Sequence, residues 1–470
     1  MNVSTGRWRT PENDAIRDIA RNVIDTDFAR LPPAAVAAAK AGILDTLGIA
    51  IAGTTAAGCQ QVIAQLREWG GKPESGIWGQ GVNVPAPSAA MANAMTAHAL
   101  DFDDTHDVAV VHSYAPVLPA ALALTQSLER PVSGRELICA VALGVDLHCR
   151  LGLAAKLSMA ETGWQFTATA GGLAAVSACG KLLGLDQSAL VNAFGIAYSQ
   201  ASGNGQAVDD GAMSKRLQVG FCSKAAVVAS HYARRGLTGA RAVLEGRAGI
   251  FRVYEQGMYD RDELLRELGT RFEGVGTGFK PYPCCRYTHP AIDAAIGLRE
   301  DHTINADDIE VVDVTASMAA LTLVGRPYKA AGNSEVDGQF SIPYTVATAL
   351  LNGEVGIADF TRESVNLPAR TALAGRVRVT HGQDFDVGKG LVPLVLDIRT
   401  HSGGRWTRRI DAIKGSPENP LTEDEQARKF LKCLEHGVLP IDEARAQRVI
   451  EMVARLEDVP DAGVIARLLA

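Results

Sequence analysis

Long stretches rich in alanine and glycine, apolar on nearly every side, leave this chain few ways to fold. The run from Ala35 to Ala52 contains little besides Ala, Ile, Leu and Gly, and Gly53 suits the residue just past a helix end. A helix with a single apolar stripe can lie on a surface, whereas one apolar all round must be enclosed by other helices. Residues from about 10 to 265 read as one such helix after another. Ser133-Gly-Arg-Glu136 has capping-box spacing ahead of an apolar run that continues to about Leu153. Asp186 and Thr238 are expected to cap two further helices, and Ser214 a third. A large, closely packed helical domain is the expected result.

The character changes after about Phe272. Glu310 to Thr315 and Arg376 to Thr380 are short and β-branched. Leu394 to Thr400, the turn Ser402-Gly403-Gly404, and Arg405 to Ile410 read as a β-hairpin. A helix is expected around Tyr344 to Leu351. After Pro417, Thr422-Glu-Asp-Glu425 has capping-box spacing, and apolar residues recur at helical spacing to the end. The predicted fold is therefore mainly α with an α/β lid. Segments 1–270 and 411–470 form the large all-helical domain, and 271–410 form the smaller inserted α+β domain. At 470 residues two domains are the natural expectation, and a core of that size needs no disulfides.

The 46 basic and 53 acidic residues give a net charge of -7 with no long basic run, so a nucleic-acid partner is not expected. The start, MNVSTGRWRTPENDA, lacks the apolar centre of a secretory signal. No stretch approaches 18 unbroken apolar residues, so no membrane span and a cytoplasmic location are expected. The eight cysteines sit mostly in apolar stretches, without a C-x-x-C pair, which gives no support to a zinc or iron–sulfur site. Dinucleotide, P-loop, nucleophile-elbow and HExxH motifs are missing, which weighs against nucleotide, serine-hydrolase and zinc-peptidase chemistry.

Three polar clusters stand out. The first is Asp101-Phe-Asp103-Asp104-Thr105-His106-Asp107 with His112-Ser113, directly after an apolar helix from Ala89 to Leu100. Three carboxylates in four positions suit a solvated helix end or a cation loop, although the alternate spacing and central glycine of an EF-hand are missing. The second is Ser214-Lys215-Arg216 at a helix start. Cations there oppose the helix dipole, a local conflict expected where an anion is held. A pair of surface cations is the other reading. The third runs from Phe279-Lys280 through Tyr282, Cys284, Cys285 and Arg286 to His289. Its two prolines hold the backbone extended. Cys285 reads as a buried thiol, or as one activated by Lys280 and Arg286.

Taken together, several stretches resemble the MmgE/PrpD family, whose members include 2-methylcitrate dehydratase, cis-aconitate decarboxylase and an iminodisuccinate epimerase. They are ILDTLGIAIAG from Ile43, AMANAMTAHALDFDDTH from Ala90, and FTATAGGLAAVSACGKLLGLD from Phe166. GAMSKRLQVGFCSKAAVVASHYARRGLTG from Gly211, GFKPYPCCRYTHPAIDAA from Gly278, and GQFSIPYTVATALLNGE from Gly338 complete the set. The resemblance implies a homodimer, a site between the domains, and no metal or organic cofactor. It implies catalytic roles for Asp101, Thr105, His112 and Lys215, and a substrate-binding role for Lys280. Cys285, Arg286, His289, Gln165 and Arg216 complete the expected substrate-binding set. Some relatives carry a histidine where this chain has Gln165, and others where it has Cys285. The expected substrate is a small anionic carboxylate. Removing a proton beside its carboxylate builds charge that cations must stabilise, and His112 is the expected acid–base group. The expected outcome is dehydration, with epimerisation the alternative; decarboxylation or a non-catalytic binding protein are the remaining readings.

Overall fold

A computed structural model describes residues 9–388 and 390–470. By internal packing the chain forms two compact units. The first holds Met1–Ala99, Asp103–Thr277 and Glu423–Ala470; the second holds Leu100–Phe102 and Gly278–Thr422.

The first unit is helical. Its main helices are α1 (Pro33–Gly53), α2 (Ala86–Ala97), α3 (Tyr114–Ser127), α4 (Gly134–Ala154), α5 (Phe166–Leu183), α6 (Gln187–Tyr198) and α7 (Ser214–Arg234). The centre is a nest in which α5 packs on α3, α4 and α7, and α2 packs on α3 and α7. All but three residues of α4 are buried, as the all-round apolar pattern requires. Three helices, α1, α4 and α5, are long and apolar enough to cross a membrane by length and composition. The most apolar windows of α4 and α5 are, however, 94% and 83% buried among other parts of this chain. The test for unbroken apolar runs missed these helices because scattered polar residues interrupt them.

Local signals explain several helix ends. Ser133 and Glu136 form the expected capping box, and Asp186 accepts from the Ala189 N–H at 2.8 Å. Gly53 serves packing instead of a left-handed end. A Cβ there would lie 2.0 Å from the Thr96 carbonyl oxygen, so glycine lets α1 and the end of α2 meet. Two expected caps are corrected. Ser214 makes no capping bond because the residue before it, Met213, is already helical (φ -59°, ψ -20°). Thr238 opens no helix. The chain after it stays irregular up to Ile250, and at Gly239 a Cβ would lie 2.3 Å from the Asn192 carbonyl oxygen. The unit also contains a small antiparallel hairpin, β1 (Ser75–Ile77) with β2 (Val82–Val84). Three-residue strands are too short to show a period in sequence.

In the second unit, β3 (Ile309–Ala316), β4 (Val377–His381), β5 (Leu394–Thr400) and β6 (Arg405–Ile410) form one sheet in the order β4-β3-β5-β6. The β3–β4 pair is parallel and the other two pairs are antiparallel. The β5–β6 hairpin sits where alternation and the Ser-Gly-Gly turn put it. Edge strand β6 has arginines at 405, 408 and 409, which discourage pairing with another chain. Helices α8 (His289–Asp301) and α9 (Ile342–Asn352) pack on each other; α8 also packs on β5 and β6, and α9 on β4.

The unit limits differ from the expected domain limits at three places, the first being Leu100–Phe102, which groups with the sheet unit. Residues 271–277 group with the helices, where the Glu273 N–H donates to the buried Asp146 carboxylate at 2.7 Å. Residues 411–422 group with the sheet unit. There Phe279 N–H donates to the Gly415 carbonyl at 2.8 Å and Lys414 N–H to Asp293 at 2.9 Å.

Candidate functional site

Asp101, Asp103 and Asp104 adjoin in sequence and take on three different tasks. Asp104 is fully buried and accepts the N–H groups of Ser113 and Tyr114 at 2.7 and 3.1 Å, so it seats the start of α3. Burial first, then the charge of Asp103, pushes its carboxyl well above the usual range. Asp103 meets two imidazoles. Its Oδ2 lies 2.6 Å from His98 Nδ1 and 3.7 Å from His112 Nδ1. Asp101 belongs to the second unit, where Lys280 Nζ donates to its carbonyl oxygen at 2.9 Å and approaches its carboxylate at 3.4 Å. Asp101 has φ +54°, a left-handed backbone that Asp tolerates better than most residues.

His112 is the site's partly exposed ring, 23% accessible, whereas the side chains of His98 and Asp103 are 0% accessible. Its Nδ1 lies 2.5 Å from the Asp104 carbonyl oxygen. A carbonyl can only accept, so Nδ1 carries the hydrogen and the basic lone pair falls on Nε2. The backbone N–H of His112 donates to Thr167 Oγ1 at 3.2 Å, which ties this segment to the first turn of α5.

Behind His112, His98 donates from Nδ1 to Asp103, and its Nε2 lies 3.4 Å from the Gln165 side-chain nitrogen. The amide nitrogen therefore donates to His98. Gln165 Oε1 is buried and makes no hydrogen bond among the described residues. From α4, His148 is fully buried; burial first and the charge of His112 second push its pKa down to about 3, so it stays neutral. Thr105 is also buried in this segment, next to the His106–Val111 bridge.

Lys215 occupies the first turn of α7, a turn without acidic residues, and is half-buried. Arg216 donates from Nη1 to the Ala57 carbonyl at 2.9 Å. Its guanidinium braces the turn before Cys59.

In the second unit Lys280 is 1% exposed. His289 is completely buried, with Nε2 3.2 Å from the Cys284 carbonyl and Nδ1 3.4 Å from Arg286 Nη1. Burial first, then the charges of Arg286 and Lys280, hold it well below the ordinary histidine range. A neutral ring that donates from Nε2 accepts at Nδ1. The structure thus places His289 where it braces Arg286. Arg286 Nη1 also donates to the Lys414 carbonyl at 3.2 Å. Cys285 is buried, with its N–H on the Gln339 carbonyl. The thiol of Cys284 is pushed far up by burial, so it is not a thiolate. Six other cysteines, all buried, have their thiols pushed up to about 11 or 12.

Sequence reading missed His98 and Asp103 as partners of His112. The available signal was a histidine in the last turn of an otherwise apolar Ala/Met helix, five residues ahead of an aspartate. His148 gave no signal inside its apolar run.

A helical unit thus carries a partly exposed histidine backed by buried polar groups, with an α/β unit inserted in the chain. Residues 17–261 match the MmgE/PrpD N-terminal domain and residues 282–457 match the MmgE/PrpD C-terminal domain. The chain belongs to the MmgE/PrpD family. It is 28% identical over 411 residues to a cis-aconitate decarboxylase of Aspergillus terreus, covering 84% of this chain and 83% of the relative. Cis-aconitate decarboxylases of Mus musculus and Homo sapiens are 27% and 26% identical. Each match covers 91% of this chain and, respectively, 87% and 88% of the relative.

Proposed function

We propose that this chain is a lyase that acts on a small di- or tricarboxylic acid by moving a proton beside a carboxylate, in the manner of a 2-methylcitrate dehydratase. The observation that carries the reading is His112, a partly exposed ring whose Nδ1–H is fixed on a carbonyl, which puts its basic lone pair on Nε2. In the proposed reaction Nε2 takes the proton from the carbon beside a carboxylate. Electron density moves onto the carboxylate oxygens, where a preorganised cation such as Lys215 stabilises it. The carbon–oxygen bond to the β-hydroxyl then breaks, the hydroxyl takes up a proton, and water leaves an alkene. Return of the proton to the opposite face would make an epimerase of an amino- or imino-dicarboxylate instead.

The relatives named as cis-aconitate decarboxylases suggest a second reading. Gln165 argues for the first. An amide does not shuttle protons near neutral pH as an imidazole does, and its buried Oε1 calls for a hydrogen-bond donor. A substrate hydroxyl is such a donor, and ionised cis-aconitate carries none.

Proton NMR in D2O across a panel of di- and tricarboxylates tests this. We expect exchange beside a carboxylate on a hydroxylated acid, and little or no itaconate from cis-aconitate; efficient itaconate formation would overturn the dehydratase reading. Activity should survive prolonged chelation and gel filtration, because the described residues contain no group of three or more His, Cys, Asp and Glu placed to hold a metal. A rate that collapses and returns with added iron, zinc or magnesium would refute that. For Lys215→Ala we expect kcat/KM to fall about 10- to 100-fold, the worth of a hydrogen bond to a charged group. The circular dichroism should be unchanged. Parent-like turnover would make Lys215 an ordinary surface cation.

A further inference from the structure

We propose that His98 and Asp103 are a buried positioning pair for His112, holding its orientation and setting the pH at which it takes up a proton. The inference rests on the acid–base role proposed for His112, and deepens it.

Asp103 is solved differently from its neighbour. Asp104 is satisfied by two backbone N–H groups at a helix start, the usual structural use of a buried carboxylate. Asp103 is equally buried, yet one of its oxygens, Oδ2, faces two ring nitrogens, at 2.6 Å and 3.7 Å. The His98 and His112 rings lie 5.3 Å apart, tilted by 59°. An imidazole whose Nδ1 faces a carboxylate keeps its hydrogen there. His98 therefore holds Oδ2 in place, and the Gln165 amide holds His98 from the far side. The chain of contacts Gln165–His98–Asp103 ends beside the partly exposed ring of His112.

The consequence is electrostatic. A fixed negative charge within about 4–6 Å of a histidine favours its charged form. When His112 Nε2 takes a proton, Asp103 stabilises the imidazolium without having to move. The titratable groups facing His112 include Asp103, His98 and Asp104 from its own segment, the last with its carboxyl pushed up by burial, and His148 from α4, while α5 contributes the Thr167 hydroxyl. His148 is neutral across the working range and supplies no competing step. Removing the Asp103 charge should therefore lower the His112 pKa.

The test is a histidine Cε1–H NMR titration of the full-length free protein, with the His112 signal assigned by its loss in His112→Gln. Asp103→Asn should lower the His112 pKa by about one unit, the lower end of the effect of a close charge. A merely structural Asp103 would alter the melting temperature and leave the titration where it was; that result would overturn the proposal. If Asp103→Asn does not fold, His98 decides. His98→Asn keeps a donor near the place of Nδ1 and should preserve the His112 titration, whereas His98→Leu should shift it. Equal titrations in these two variants would also overturn the proposal. The titration needs no substrate. Failure of the lyase reading would appear separately, as an absence of exchange in the parent protein.

Discussion

His112→Ala lowers the rate of proton exchange beside a substrate carboxylate by about 10²–10⁴-fold, the usual worth of a positioned acid–base group. The fold should survive. The ring is partly exposed, and its Nδ1–H bond goes to a backbone carbonyl, that of Asp104. The bonds that seat the start of α3 come from the Asp104 carboxylate and are untouched. Exchange measured by NMR in D2O isolates the proton step from later bond breaking. Full exchange in the variant would transfer the base role to Asp101 or Lys215. His112→Gln refines the result, since an amide can hold the same space and still cannot take the proton.

Lys280→Ala is expected to cost about 3–5 kcal/mol of stability, the usual effect of removing one partner from a buried ion pair. Its side chain is 1% accessible and that of Asp101 8%, so water cannot readily replace the lost ammonium. Two bonds go together, one to the Asp101 carbonyl and one approaching its carboxylate. Asp101 also holds a left-handed backbone, a conformation that persists only when its surroundings enforce it. Calorimetry should show a transition lowered by several degrees, and Lys280→Met, which restores bulk without charge, should recover little of it. An unchanged melting curve for Lys280→Ala would show that the pair contributes nothing net.

The parts of the fold legible in sequence were those whose cause is local. The β5–β6 hairpin follows from alternation plus a Ser-Gly-Gly turn, and the Ser133–Glu136 box from four adjacent residues. The Thr238 and Ser214 caps failed because a cap depends on the backbone angles of its neighbours, which sequence does not display. The site follows the same division. Asp101, Asp103 and Asp104 were visible as one acidic cluster, and nothing in their spacing could sort them. Their sorting depends on distant partners: Lys280, 179 residues from Asp101, and the backbone at the start of α3 for Asp104. The burial of His289 and its contact with Arg286 were likewise invisible in sequence.

The short excursion of Leu100–Phe102 into the second unit has a consequence for recombination. Those three residues share its hydrogen bonds, with Gln339 donating to the Leu100 carbonyl and Lys280 to that of Asp101. A chimera that exchanged only Gly278–Thr422 for the matching segment of a relative would import a new lysine environment and keep the old aspartate. The unit of inheritance is therefore discontinuous. A clean graft must carry the tripeptide along with the larger insert, and a crossover placed anywhere between residues 103 and 277 would separate two residues that have to change together.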